Sequence, residues 1–180
     1  MMDKIYIRML MPEDWRLVKS LRIQAIQEYA CYFWDSPARV VTHDDEYWKG
    51  MLGRDNSVLF GVFDGEDMVG ITALSAYHDS PEDTVVLGFD YIVPTHRGRG
   101  LGHMFYNARM EWIKHRPSIR RALVNHRKGN SASEALIKKY GFQKYEEAPF
   151  TYGDGTEGIS MRYELWMDRI DKVQAHDEHI

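Results

Sequence analysis

Apolar and polar residues recur along this chain with two periods, and the switches between them fall at clear punctuation. Lys4 to Leu10 reads as a short mixed strand. Pro12 suits a first helical turn, and Glu13 and Asp14 complement the helix dipole. Trp15, Val18, Leu21, Ala25 and Tyr29 then form a helical stripe that runs to about Ala30. The pattern lapses from Cys31 to Thr42, where Ser36-Pro37 marks a loop. Asp44 to Leu52 predicts a second short helix, stopped by Gly53. Ser57–Phe63 and Met68–Ala76 read as strands around Asp64-Gly65-Glu66-Asp67, a strong hairpin signal. A loop follows from His78 to Asp83.

Val85 to Val93 is rich in β-branched and aromatic residues and reads as a buried strand, ended by Pro94. Leu101, Met104, Phe105, Ala108 and Trp112 return at helical spacing, opposite Asn107, Arg109, Glu111 and Lys114. That helix ends near His115. Arg120–Asn125 predicts a strand. Asn130 can cap a helix to Tyr140, with Gly141 as its stop. Two last strands, Phe142–Tyr145 and Ile159–Met167, bracket a loop holding Asp154-Gly155.

The turn between the strand at 85–93 and the helix after it carries the candidate chemistry. It reads Val93-Pro-Thr-His-Arg97-Gly98-Arg99-Gly100-Leu101-Gly102-His103. The first amides of a helix lack partners and carry the positive end of its dipole, so they attract anions. Glycines let a ligand approach the backbone, and Arg97 and Arg99 add forked donors suited to phosphate. A dinucleotide fingerprint starting from Gly98 would need its third glycine at His103, and a nucleoside-triphosphate loop would need Gly-Lys-Ser/Thr. Neither is present. A plain glycine-rich turn, or an Arg-Gly contact to nucleic acid, are the alternatives.

Arg97-Gly98-Arg99-Gly100-Leu101-Gly102 resembles the Arg/Gln-x-x-Gly-x-Gly/Ala acyl-coenzyme A loop of the GNAT-type N-acetyltransferases. Asn130, Leu136 and Gly141-Phe142 resemble that family's second pattern, Asn-x5-Leu-x4-Gly-Phe. The element order β-α-α-β-β-β-α-β-α-β-β is similar throughout. The resemblance implies an α/β class, single-domain GNAT fold. Its central mixed, mostly antiparallel twisted sheet of about seven strands would be flanked by about four helices. This domain would span residues 1–167, leaving 168–180 as a polar C-terminal tail.

The same resemblance implies acetyl-CoA as acyl donor, with no metal. Tyr91, Ile92 and Val93 would bond its pantetheine through free strand backbone. Amides from Gly98 to His103, including Gly100, Leu101 and Gly102, would hold the pyrophosphate beside Arg97 and Arg99, and Asn130 would meet the cofactor from the next helix. Gly88, inside the strand, independently suggests a bulge or a close backbone approach. Many relatives carry a tyrosine acid seven residues after the asparagine, where this chain has Ile137. Tyr140, nearly one turn further on, is the candidate in its place. Base candidates are Asp90, for which an ion pair with a neighbouring arginine is the simpler reading, and His78 and His126. Specificity in such proteins rests on the first two helices and the last hairpin loop. Here these places offer Tyr29, Tyr32, Phe33, Trp34, Tyr47 and Trp48, with Phe150 and Tyr152. Glu28, Asp35, Asp44, Asp45 and Glu46 complete an aromatic, acidic funnel suited to an amine cation.

Composition narrows this reading little. The chain has 180 residues, enough for one well-buried domain. A net charge of −4 disfavours nucleic acid and anionic membranes as partners. Cys31 is the only cysteine, the start does not read as a signal peptide, and no apolar run approaches a membrane span; a cytoplasmic protein is expected. The acceptor would be a small-molecule or peptide amine, and a homodimer stays open. A cofactor-binding regulator without efficient catalysis is the alternative function.

Overall fold

A computed structural model describes residues 5–76 and 83–169. The predicted loop holding His78, and most of the tail after Met167, lie outside the described residues. The strands are β1 (Ile5–Met9), β2 (Ser57–Asp64), β3 (Asp67–Ala76), β4 (Thr84–Ile92), β5 (Arg121–Arg127), β6 (Gln143–Thr151) and β7 (Glu157–Trp166). The α-helices are α1 (Trp15–Tyr29), α2 (Pro37–Val40), α3 (Asp45–Lys49), α4 (Leu101–Lys114) and α5 (Ser131–Lys139). Among the described residues no helix is long and apolar enough to cross a membrane.

The seven strands form one sheet in the order β1-β2-β3-β4-β5-β7-β6. All neighbours are antiparallel except β4 and β5. Alternation along the central strands sends side chains to two faces, each closed by helices. On one face Val18, Leu21, Ala25 and Ile26 of α1 pack on Leu59, Ile71, Ala73 and Tyr91. On the other, Tyr106 and Ile113 of α4 and Ile137 of α5 pack on Phe60, Leu74, Leu87, Val124 and Tyr163.

The expected hairpin is present: Asp64 pairs with Asp67, and Gly65 takes φ +61° in the turn. Gly141 ends α5 at φ +83°. Three expectations need correction. Ser36-Pro37 opens a one-turn helix rather than a loop, because the Ser36 hydroxyl caps the Arg39 amide and Pro37 takes the first helical position. The second predicted helix covers only Asp45–Lys49. β6 runs on to Thr151, so the last loop shrinks to residues 152–156. β6 is an edge strand exposed on most of its length, and edge position lets it carry Glu146, Glu147 and Pro149 without the usual alternation.

Ile137, which stands where relatives have a tyrosine, is only 1% exposed and belongs to the core between α5 and the sheet. Replacing it with tyrosine overfills that space. Ile137→Tyr is expected to lower unfolding free energy by about 1–3 kcal/mol in chemical denaturation. Unchanged stability would show that the core beneath α5 has room to spare.

Candidate functional site

β4 and β5 pair through only three positions, Thr84–Val86 against Arg121–Leu123. Beyond Val86, β4 stays paired with β3 while β5 continues along β7. The sheet therefore opens between its two parallel strands, and one backbone edge of β4 faces the opening. A register shift between Ile71 and Ala73 places a bulge opposite Thr72, one residue beyond the predicted Gly88. Within it Phe89 adopts φ +65°, a left-handed conformation that is strained for a bulky side chain and costs of order 1–3 kcal/mol.

Polar contacts on both faces hold this bulge. Asp90 accepts from Nη1 and Nη2 of Arg109 at 2.7 and 3.2 Å, and from the Thr72 hydroxyl at 2.5 Å. The Arg109 side chain is fully buried, although its place along α4 had suggested the solvated face. On the opposite face the Arg22 guanidinium lies 3.9 Å from the centre of the Phe89 ring. Both Asp90 oxygens thus accept hydrogen bonds within the fold.

The glycine loop opens α4, and its three glycines answer to different demands. Gly98 and Gly100 take φ +73° and +80°, and a Cβ on either would meet open space. Their role is conformational. A Cβ on Gly102 would lie 2.6 Å from Leu136, so here the demand is contact between α4 and α5. The two sequence patterns therefore touch. The amides from Gly98 to Gly102 have no acceptor among the described residues, whereas the His103 amide donates to the Gly100 carbonyl. Such an array of free amides at a helix start forms an anion nest. Side chains nearby are less free. Arg97 turns inward, donating to the Ile92 carbonyl at 2.9 Å and to the Tyr29 hydroxyl at 3.0 Å. Arg99 lies 3.7 Å from Asp64, which also binds His96 at 2.9 Å. Asn130 accepts from the Ser133 amide at 3.2 Å as the cap of α5.

Tyr140 lies against α4. Its hydroxyl donates to Asn107 Oδ1 at 2.7 Å, its ring stacks on Tyr106, and burial raises its pKa. His126 is buried, with Nδ1 2.8 Å from the Arg127 carbonyl and its ring stacked on Tyr163. Both are packed into the helix face of the sheet. Among the described residues no group of three or more His, Cys, Asp and Glu side chains gathers as metal ligands do.

On the α1 side, Tyr91 donates to Glu28 at 2.8 Å, and burial with that contact pushes its pKa well up. Tyr29 lies beside Tyr91 with Arg97 over its ring. Phe33 is half-buried, and its carbonyl accepts from the Gly153 amide at 2.7 Å. The first loop and the last hairpin loop therefore meet. Arg127 ties the same junction, donating to the Cys31 carbonyl and to Thr156 at 2.9 and 2.8 Å. Trp34 is 56% exposed beneath Arg39, while Tyr152 is buried under Arg127.

Part of the expected funnel lies elsewhere. Trp48 is 1% exposed and fills the core under α1, as a large ring between short helices tends to. Asp44 caps α3, Asp45 pairs with Lys19 and Glu46 with Lys49 on the outer surface. The residues that sequence reading missed are Arg22, Arg109 and Arg127. For Arg22 the signal is weak: it stands beside Leu21 on the edge of the apolar stripe 15, 18, 21, 25, 29.

Comparison with known proteins agrees with this architecture. A sequence profile described as an acetyltransferase (GNAT) domain matches residues 4–143. No curated protein sequence matches significantly. Among solved structures, a GNAT-family acetyltransferase from Streptococcus pneumoniae is similar at TM-score 0.78 and 17% identity, over 91% of this chain and 99% of that one. NAA60 of Arabidopsis thaliana, solved with acetyl-CoA, gives 0.71 and 14% over 92% and 99%. Spermidine N-acetyltransferase from Vibrio cholerae, solved with CoA and spermine, gives 0.71 and 15% over 91% and 96%.

The junction between the two loops is testable. A Cβ on Gly153 would sit 1.8 Å from the Asp35 carbonyl oxygen, a backbone atom that cannot swing aside. Gly153→Ala should part the loops and break the Gly153–Phe33 hydrogen bond. Limited proteolysis is expected to cut between residues 30 and 36 at least several-fold faster than in the parent. An unchanged cleavage rate would mean that the junction is loose.

Proposed function

The chain belongs to the GNAT acetyltransferase family, and from that premise we propose that it moves an acetyl group from acetyl-CoA to a primary amine of a small molecule or peptide. Transfer is direct, within a ternary complex. The amine nitrogen bonds the acetyl carbon, the carbon–sulfur bond breaks with its electrons going to sulfur, and the nitrogen's proton passes to solvent. The observation that carries this reading is the parting of β4 from β5 after three pairs, with five unpartnered amides at the end of the opening. The residues fit such a donor. In this proposal the β4 edge left unpaired beyond Val86 meets the amides of a pantetheine arm near Tyr91 and Ile92, once Arg97 leaves the Ile92 carbonyl; Val93 just beyond it already donates its amide to the Val69 carbonyl. The nest from Gly98 to Gly102 suits a pyrophosphate.

In this proposal the protein acts chiefly by holding two reactants in line, an effect that supplies several kcal/mol of a barrier. Backbone donors at the strained bulge face the acetyl oxygen as charge develops on it. Asp90 fixes the bulge and Tyr140 packs α5 on α4, so neither serves as base or acid. Arg97 releases Tyr29 when phosphates arrive. Tyr29, Phe33, Trp34 and Tyr152 line the approach of the amine. The catalytic unit is residues 1–167. Nucleic acid and membrane are not among its partners.

Release of free thiol from acetyl-CoA in the presence of a panel of amines tests the reaction; no release above hydrolysis with any amine would contradict it. Gly100→Asp brings like charge to the nest and forces an L side chain to φ +80°. Calorimetry should show acetyl-CoA affinity reduced at least tenfold in a folded variant, and unchanged affinity would remove the phosphate assignment. The triple variant Asp44→Asn, Asp45→Asn, Glu46→Gln should leave the acceptor KM within about twofold at low salt, since exposed pairs of this kind contribute little. A clear rise in acceptor KM would place these acids on the amine's path.

A further inference from the structure

Arg22 is 3% exposed, yet its guanidinium has no hydrogen-bond acceptor among the described residues, and Nη1 is wholly enclosed. Its Cζ lies 3.9 Å from the centre of the Phe89 ring and 4.9 Å from that of Phe33. Two carboxylates act on it through space, but Asp35 is paired with Arg39 at 2.8 Å and Asp90 with Arg109 at 2.7 Å. Burial brings its pKa down only to about 10, so it remains a cation at neutral pH. Two rings satisfy the faces of a guanidinium, but its edge of N–H donors still requires oxygen. Leaving those donors dry is costly unless a ligand completes them.

The place of this side chain says which ligand. Phe89 belongs to the β4 bulge, and Phe33 to the loop that meets the last hairpin at Gly153. Arg22 therefore lies between the β4 bulge and the loop that carries Phe33. We propose that Arg22 binds a carboxylate of the acceptor, so that the amine acetylated here belongs to an amino acid or a close relative bearing its carboxylate near the nitrogen. This assignment rests on the transferase reading above and names its substrate class. A planar fork of donors held beside two aromatic rings favours a planar carboxylate. It also discriminates strongly, because an amine without the carboxylate leaves the buried donors unpaired.

The test compares matched acceptors: phenylalanine against phenethylamine, and methionine against 3-(methylthio)propylamine, by thiol release from acetyl-CoA. Wild type is expected to favour the carboxylate-bearing member of a pair at least tenfold in kcat/KM. In Arg22→Gln that preference should collapse through a raised acceptor KM, with the KM for acetyl-CoA unchanged; Arg22→Lys, which keeps the charge without the fork, should fall between. A merely structural arginine would alter stability and leave the preference intact. Equal turnover of paired acceptors by wild type, or a preference that survives in Arg22→Gln, overturns the assignment and leaves the transferase reading standing. If no amine releases thiol, the transferase reading fails, and thermal shift decides Arg22 separately. Stabilisation of wild type by the amino acid but not its matched amine, lost in Arg22→Gln, supports the assignment. No such difference overturns it, and misfolding of both variants leaves the wild-type acceptor comparison to decide.

Discussion

A buried arginine against a strand carboxylate is the constraint on which the opening in this sheet depends. Arg109 is enclosed on the helix face of the sheet, and a cation there is tolerable only if a carboxylate meets it. Asp90 meets it with both oxygens, and Thr72 adds a third contact from the neighbouring strand. To deliver Asp90 to that face, β4 takes an extra residue and Phe89 enters the left-handed region. The bulge then sends Phe89 to the opposite face, where it covers Arg22. One ion pair thus orders the strand edge, the strain and the side chains on both faces.

At the other end of the opening, the glycines of the loop divide their labour. Gly98 and Gly100 bend the chain so that amides point outward, and Gly102 lets α5 come close. Leu136, the neighbour that Gly102 admits, belongs to the second sequence pattern. The joint pattern of the two segments is therefore also a packing contact. Arg97 links this loop to Tyr29 at the end of α1.

Much of this was legible in the chain itself. Periodicity found the hairpin at Asp64–Asp67, the long helices and the order of the strands, because buried faces impose a strict spacing. It failed where burial is partial or polar. β6 lies at an edge and needs no alternation, and Ser36-Pro37 starts a helix only one turn long. Arg22 and Arg109 occupy core positions as charged residues, and their cause is tertiary: each is stacked or paired with residues distant in sequence. Trp48 shows the converse, an aromatic that sequence position assigned to the amine funnel and packing drew into the core. By position Asp90, Tyr140 and His126 are candidates for proton transfer; position does not show that each has hydrogen-bond partners within the fold.

The central claim is that acyl-CoA lies in the gap between β4 and β5 with its phosphates on the glycine loop. Amide hydrogen exchange with and without acetyl-CoA tests it most directly, since the amides from Gly98 to Gly102 have no acceptor among the described residues. The account expects cofactor to slow exchange at those amides and at the end of β4 near Ile92, with little change in β1 or β6. Slowing confined to other segments, or none at saturating acetyl-CoA, would contradict it.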